Sequence, residues 1–297
     1  MSAVPPQAVV DLHTHSLRSD GRETPAEVVA AAAAAGVDVI ALTDHDVYSG
    51  WAEADVAGTR LGVTVVPGVE VSCRWRGISV HLLGYLPDPT HRGLLAELEE
   101  SRASRDTRLR RMVDLLAAEG YPISYEEVLQ EAGPDATLGR PHVADVLVRN
   151  GVLADRSAAF ETLLVPGSPF YVSHYAPDPV RATELVVAAG GVPVMAHPFA
   201  STRGRVVEES LIEEMAQAGL AGLEVDHRDH GPAEHARAER TATRLGLLRT
   251  GSSDYHGSGK PNRLAENTTR PEVLEQILER GSGTPLLGAP LGARRRA

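Results

Sequence analysis

Four short segments carry nearly all the side chains of this chain that suit metal ligation: Asp11-Leu12-His13-Thr14-His15, Thr43-Asp44-His45-Asp46, Gly68-Val69-Glu70-Val71-Ser72 and Ser253-Asp254-Tyr255-His256. His13 and His15 are two apart, so an extended backbone turns both rings to one side, where they can grip one ion. Asp254 and His256 repeat that spacing from the far end of the chain. Glu70 has two carboxylate oxygens and can bridge two ions. Asp20, in the turn-like Ser19-Asp20-Gly21, can serve a further ion. His45, His81 and His197 add neutral nitrogen donors. Mixed imidazole and carboxylate ligation suits Mn, Fe or Zn better than Ca or Mg. Ions about 3.5–4 Å apart would acidify a bridging water and clamp a phosphoryl oxygen. The hydroxide so formed would attack phosphorus while metals and nearby Arg stabilise the added charge, with no Ser or Cys nucleophile required. These residues predict a metal-dependent phosphoesterase.

Other candidates carry weaker signals. His91 and His235 lie in polar helical surroundings and suit an ordinary surface role. Asp226 and His227 fit either support of the ligands or a plain loop. Asp44 fits a helix cap or an orienting group better than a ligand. His142, in Gly139-Arg140-Pro141-His142, is expected to clamp substrate phosphate, the alternative being an exposed His at a helix start.

The elements that must position these residues alternate. Val9–Leu12 is a strand running into His13 and His15. Thr24 is an N-cap, Pro25 suits the first helical position and Glu27 completes a capping box, so a helix runs through the alanines to Gly36. Val37–Leu42 is a strand ending at Thr43-Asp44-His45, Ser49–Leu61 a helix and Val63–Val66 a strand leading to Glu70. Ser79–Tyr85 is a strand carrying His81. From Leu94 to Leu164 the signal is helical only, over Leu94–Glu119, Tyr125–Glu131, Pro141–Arg149 and Ser157–Leu164. Alternation then resumes with helix Asp178–Ala189, strand Val192–Ala196 before His197, helix Glu208–Ala218 and strand Gly222–Val225. Helix Ala233–Leu245 follows, then a strand in the leucine-rich stretch Leu245–Leu248, and helix Pro271–Gly281. Leu291–Ala297 is expected to be a frayed basic tail. The pattern predicts an α/β fold with a mainly parallel sheet or barrel, its ligands at the carboxyl ends of the strands, where such folds do chemistry.

Bulk properties bound the partners. The 297 residues are 42% hydrophobic, enough for one large barrel-like domain or two average ones. A net charge of −11 argues against duplex DNA binding through a broad basic face. It leaves room for a short anionic substrate held by a few Arg and metal ions. Lys260 is the only lysine, a bias that by itself carries no chemistry. Cys73 is the only cysteine, which excludes an internal disulfide and fits a reducing compartment. Met1–Gln7 lacks a signal-peptide pattern, and the apolar Ala30–Ala35 is too short to span a membrane. A cytoplasmic protein without membrane association is expected.

Taken in order, HTH, TDHD, GVEVS, HLLGY, AHP and SSDYHG resemble the polymerase and histidinol phosphatase (PHP) superfamily over nearly the whole chain. That resemblance implies a distorted (β/α)7 barrel with two or three divalent metal ions, Mn foremost. The barrel would comprise residues 8–93 and 165–290, interrupted by a helical insertion domain at 94–164. It implies His13, His15, Glu70 and Asp254 on a first metal, Glu70, His81 and His197 on a second, and Asp20, His45 and His256 on a third. Within the superfamily, Arg140-Pro141-His142, Pro169–His174, Gly190-Gly191-Val192 and Gly222–Val225 resemble the branch that removes the 3′-phosphate of nucleoside 3′,5′-bisphosphates. Related members degrade short RNA from the 5′ end. The resemblance places Arg140, His142, Tyr171, His174 and His230 around the substrate. Arg140 and the third metal are expected to hold phosphate oxygens, and His230 or His256 to protonate the leaving group. One departure stands out. The family often has Arg-Tyr soon after His-Pro, whereas His197-Pro198 is followed here by Phe199-Ala200-Ser201, leaving Arg203 or Arg205 to replace that Arg. Rival expectations are a 5′-3′ exoribonuclease on short RNA, a histidinol-phosphate phosphatase, and a non-catalytic accessory metal domain.

Overall fold

The computed structural model describes residues 4–293. The expected basic tail therefore lies in part outside the described residues, from 294 onward. Seven strands form one strongly curved sheet in chain order: β1 (Val10–Thr14), β2 (Val39–Leu42), β3 (Thr64–Trp75), β4 (Ile78–Tyr85), β5 (Val192–Met195), β6 (Gly222–Asp226) and β7 (Leu248–Gly251). A two-residue β8 (Leu287–Gly288) pairs antiparallel with the start of β3. The sheet is nearly closed into a barrel. Between β1 and β7, loop backbone takes the place of a missing strand: the N–H of His15 donates to Tyr255 O at 2.8 Å and that of Thr269 to Val10 O at 2.9 Å. The buried Asp11 carboxylate accepts N–H bonds from Ser253 and Ala265, each at 3.0 Å. Burial outweighs these bonds and raises its pKa to about 6.

Helices cover the sheet. α1 (Pro25–Ala34) and α2 (Trp51–Leu61) connect the first three strands. Thr24 caps α1 through the reciprocal Thr24–Glu27 capping box that the sequence predicts. Between β4 and β5 the chain forms α3 (Arg92–Ala118), α4 (Tyr125–Ala132), α5 (Arg140–Arg149), α6 (Arg156–Glu161) and α7 (Pro179–Ala188). α8 (Glu209–Gln217), α9 (Pro232–Leu245) and α10 (Pro271–Arg280) complete the set. Among the described residues, no helix is long and apolar enough to cross a membrane.

Alternate residues of the strands share one apolar cluster: Val10 and Leu12, Val39 and Ala41, Leu83 and Tyr85, Val192 and Val194. Val273, Leu274, Ile277 and Leu278 of α10 pack on the same cluster. In the parallel strands these residues precede the polar ligand residues, so the apolar core fills one end of the barrel and leaves the other to the chemistry. A separate cluster, with Leu109, Met112, Val143, Leu147 and Leu164, holds α3–α6 together.

Three expectations need correction. The strand predicted over Val63–Val66 continues to Trp75 and turns back as a β3–β4 hairpin, paired from Gly68↔Tyr85 to Trp75↔Ile78. Its two-residue turn, Arg76 at φ 47° and Gly77 at φ 79°, has the left-handed pair that matches strand twist. Apart from the short β8, the sheet is thus parallel except around β4, which runs antiparallel to both β3 and β5. His81 consequently lies in the first half of β4, not at a carboxyl end; the reversed direction brings it to the same rim as the others. Finally, Leu245–Leu248 is not a strand: Leu245 ends α9, Gly246 caps it at φ 66°, and β7 begins at Leu248.

Candidate metal centre

All nine side chains expected to ligate metal meet at the open rim of the barrel. Glu70 lies at the middle. Its Oε2 is 3.2 Å from His13 Nε2, 3.0 Å from His15 Nε2 and 3.3 Å from His45 Nδ1. Its Oε1 is 2.8 Å from His81 Nδ1 and 3.4 Å from His197 Nε2. The two oxygens of one carboxylate therefore face two separate nests of nitrogen. Asp254 Oδ1 adds to the first nest, 3.5 Å from His13 Nε2 and 3.4 Å from His15 Nε2. Asp20 Oδ1 lies 3.2 Å from His256 Nε2 and 3.9 Å from His45 Nε2. Four overlapping groups fit one ion each in turn: His13/His15/Asp254, His15/His45/Glu70, Glu70/His81/His197 and His15/Asp20/His256. The second-metal set implied by the resemblance appears unchanged, whereas in the third His15 takes the place of His45, which sits between Asp20 and Glu70.

These atoms are crowded but not satisfied. Asp20 Oδ1, His45 Nδ1, Glu70 Oε1, His81 Nδ1, His197 Nε2 and His256 Nε2 are buried and make no hydrogen bond of proper geometry. Buried polar atoms normally find a partner, so several unpaired donor atoms aimed at shared points fit cations, and the N/O mixture fits Mn, Fe or Zn. Electrostatics agree. Burial opposes ionisation of Glu70, but His45, His81 and His13 outweigh it and hold the carboxylate well below its usual range. Asp20 and Asp254 are likewise held low against burial, by His256 and His45 and by Lys260 and Arg203 respectively.

Buried neighbours orient these side chains. Glu224, fully buried on β6, accepts from His13 Nδ1 at 3.0 Å and from the His197 N–H at 2.8 Å. The first contact leaves His13 Nε2 to the centre. Asp44 is neither ligand nor helix cap: it accepts from the Ser16 N–H, Ser16 Oγ and Ser19 Oγ at 2.8, 2.6 and 2.6 Å, bracing the loop after β1. Gly21 lets that loop fold tightly, because a Cβ there would lie 2.6 Å from His15 O. His197 and Asp254 adopt left-handed backbone, φ 28° and 53°, which places strain at the centre. His227 also reaches the edge of the centre, its Nε2 3.6 Å from Asp254 Oδ2, while Asp226 is exposed and pairs with His235.

The residues expected around substrate divide. Arg140, Tyr171 and His174 gather with Arg74 and Arg108 in one basic group; His142 and His230 do not present free ring nitrogens. His142 is buried, takes the Gly139 N–H on Nδ1 at 3.1 Å and bonds the Ser19 backbone, so it braces the start of α5 and the Asp20 loop. His230 Nδ1 donates to Val225 O at 2.8 Å and its Nε2 accepts the Phe199 N–H at 3.3 Å, with burial lowering its pKa. His256 Nδ1 is held by Asp254 O at 2.7 Å, which turns Nε2 to the ligands. Of the two arginines proposed to replace the missing one, Arg203 reaches Asp254 Oδ2 at 2.5 Å, whereas Arg205 donates to the Arg76 carbonyl, at 3.4 Å, at the tip of the β3–β4 hairpin.

Three arginines invisible to sequence reasoning complete the basic group. Arg74 on β3 and Arg108 on α3 both donate to His174 Nδ1, at 3.1 and 3.3 Å. Arg105 donates to Asp46 Oδ2 at 3.1 Å and to Ser72 Oγ. Arg108 and Arg140 flank the Tyr171 ring. Among the described residues, Arg105–Asp46 is the only ion pair these four arginines make. Burial, then Arg140, lowers Arg108 to about 9; burial and the four arginines push His174 to about 2. Arg74 Nε, Arg108 Nη2 and His174 Nε2 are buried without partners. Clustered cations this poor in counter-charge favour an anion. Glu70, Ser72 and Arg74 alternate along β3 and share one face, so Ser72, which takes Arg105, lies about 7 Å and Arg74 about 13 Å along the strand from Glu70.

Known proteins resemble this chain in sequence and fold. A model of the PHP domain matches residues 11–128. The chain is 38% identical over 261 residues to the 3′,5′-nucleoside bisphosphate phosphatase of Chromobacterium violaceum, covering 88% of this chain and 92% of that protein. It is 33% identical to a 5′-3′ exoribonuclease of Haemophilus influenzae, over 83% of this chain and 89% of the relative. It is 35% identical to a phosphoribosyl 1,2-cyclic phosphate 1,2-diphosphodiesterase of Eggerthella lenta, over 84% and 94%. A solved structure from Bifidobacterium adolescentis, described as a candidate metal-dependent phosphoesterase, superposes with a TM-score of 0.90 at 37% identity, over 94% of this chain and 98% of that one. The chain belongs to the PHP family of metal-dependent phosphoesterases.

Proposed function

We propose that this enzyme removes the 3′-phosphate of a nucleoside 3′,5′-bisphosphate, such as 3′-phosphoadenosine 5′-phosphate, with manganese as its metal. The observation that carries the reading is the group of Arg74, Arg105, Arg108 and Arg140 around His174, whose unpaired buried nitrogens suit a second anion. One phosphate belongs at the His/carboxylate cluster and another among Arg74, Arg105, Arg108 and Arg140, on the same face of β3. The relatives' names support it, since a nucleoside bisphosphate and a phosphoribosyl cyclic phosphate each carry two phosphoryl groups.

Divalent ions held by His13, His15, Asp20, His45, Glu70, His81, His197, Asp254 and His256 would supply Lewis-acid polarisation of the phosphoryl group and an acidified water. The chain's own part is positioning. Glu224 fixes the tautomer of His13 and the backbone of His197. Arg108 and Arg140 hold the non-reacting phosphate, with Tyr171 between them, so the other phosphate arrives in one orientation. His142 and His230 brace loops. Residues 94–164 act as an inserted helical domain that supplies Arg105, Arg108 and Arg140 to a site built on the barrel. The single buried Cys73 fits a cytoplasmic setting.

A 5′-3′ exoribonuclease on short RNA is the second reading, favoured by the Haemophilus influenzae relative. A 5′-phosphate among the arginines would then set a phosphodiester on the cluster. Histidinol phosphate has a single phosphate and leaves the arginines unexplained. The test is phosphate release, with Mn²⁺ added, from 3′-phosphoadenosine 5′-phosphate against 5′-AMP and histidinol phosphate. Release from the bisphosphate alone, lost in His13→Ala, is expected. No release from it, with mononucleotides formed from 5′-phosphorylated RNA, would replace this reading by the second.

A further inference from the structure

The only lysine of the chain stands at the metal centre. Lys260 lies in the loop that follows β7, with its Nζ 3.2 Å from Asp254 Oδ2. The loop is anchored on both sides of it. Arg156 Nη1 donates to Gly259 O at 3.3 Å, and Asn262 Nδ2 donates to the buried Ser253 O at 2.6 Å. Asp254 divides its oxygens between two jobs. Oδ1 faces His13, His15 and His256 at 3.4–3.5 Å, while Oδ2 takes the two cations, Arg203 at 2.5 Å and Lys260.

Those two cations are not equivalent. Arg203 is committed at both ends, Nη2 to Asp254 and Nε to Asp229 Oδ2 at 2.6 Å. Among the described residues Lys260 has one partner for three N–H donors, and its side chain is 31% exposed where that of Asp254 is 2%. The ammonium thus sits between a buried ligand carboxylate and solvent, on a restrained loop, with donors to spare. A compact, rotatable point charge suits one oxygen of a tetrahedral anion, where Arg would impose a planar fork.

We propose that Lys260 binds a non-bridging oxygen of the phosphate being hydrolysed, as a further catalytic residue alongside the metal ligands. This rests on the cluster being the phosphate-binding metal site, and not on which phosphate ester is the substrate. Inorganic phosphate is therefore the probe. Its binding to Mn²⁺-loaded wild-type protein, Lys260→Met and Lys260→Arg is measured by titration calorimetry, with Mn content determined by elemental analysis. Lys260→Met should weaken phosphate binding about tenfold, the size of one charge-assisted contact, with Mn content unchanged. Lys260→Arg should recover part of the loss. Equal affinity in wild type and Lys260→Met overturns the proposal, as does absence of phosphate binding in the loaded wild type. Loss of Mn in Lys260→Met would also overturn it and confine Lys260 to holding Asp254. Turnover of the bisphosphate by wild type tests the substrate reading separately.

Discussion

Glu224→Gln isolates the orienting layer from the ligands themselves. The carboxylate is fully buried and serves two donors, His13 Nδ1 at 3.0 Å and the His197 N–H at 2.8 Å. Its pKa is lowered to about 2: burial opposes ionisation, and His13 and His227 outweigh it. A carboxamide fills the same volume but has one oxygen. Whichever donor that oxygen accepts, the NH₂ end then faces the other, leaving one buried donor opposed by another. That mismatch costs about 1–3 kcal/mol. Taking about 2 kcal/mol on ligand pre-organisation gives about 30-fold weaker metal binding, within the range for residues that orient metal ligands. The assay is calorimetric titration of Mn²⁺ into metal-stripped protein, with circular dichroism melting to show that the variant is folded. A folded Glu224→Gln variant that binds Mn²⁺ as tightly as wild type would refute the argument.

Metal uptake should release protons at pH 7. Burial pushes His15 down, but Asp254 and Glu70 outweigh it and raise it to about 9; His13 is raised well above its usual value by Glu70, Glu224 and Asp254 against burial. Ligation needs the neutral rings, so Mn²⁺ affinity should rise with pH up to about 9, and the calorimetric heat should depend on the buffer's ionisation enthalpy; no such dependence would count against it. The same raised pKa means that His15 stabilises the metal-free fold fully below its ordinary 6.5, a contribution lost as pH rises through about 9. His230→Ala should lower the melting temperature and leave the shape of the pH–rate profile intact, because both ring nitrogens serve backbone groups; loss of one limb of the profile would restore it as proton donor. Arg156→Ala should reduce Mn stoichiometry while the barrel stays folded, since this side chain ties Asp145, at 2.5 Å for each of two contacts, to the carbonyls of Asp20 and Gly259; full Mn content would argue against that coupling.

How much the sequence disclosed follows from how local each signal is. His13 and His15 were legible because two residues of extended chain suffice to pair them. Glu70, Asp254 and His256 were legible through their neighbours in short motifs. His81 was found, but its strand direction was not, because the Arg76-Gly77 turn was not recognised as joining two halves of a hairpin. Glu224 carries a local signal of its own: an acidic residue inside the otherwise apolar strand Gly222–Val225 calls for a buried partner. Arg105 and Arg108 offered none. They sit in a helix dense with Arg and Glu, where every charge resembles ordinary solvent-facing surface, and they meet Arg74 and Arg140 only after α3 and α5 pack across the rim. His142 and His230 show the converse: a polar ring near a site can have its nitrogens occupied by backbone groups, which no local sequence signal reveals.

The two-phosphate account is tested most directly by Arg108→Ala on a matched pair of substrates, a nucleoside 3′,5′-bisphosphate and the corresponding 3′-monophosphate. Arg108 is 5% exposed and has an unpaired Nη2. If it holds the 5′-phosphate, kcat/KM should fall about 10–100-fold for the bisphosphate, the value of a charged contact, and change little for the monophosphate. An equal fall on both substrates, or none on either, would contradict the second anion site and with it the proposed substrate.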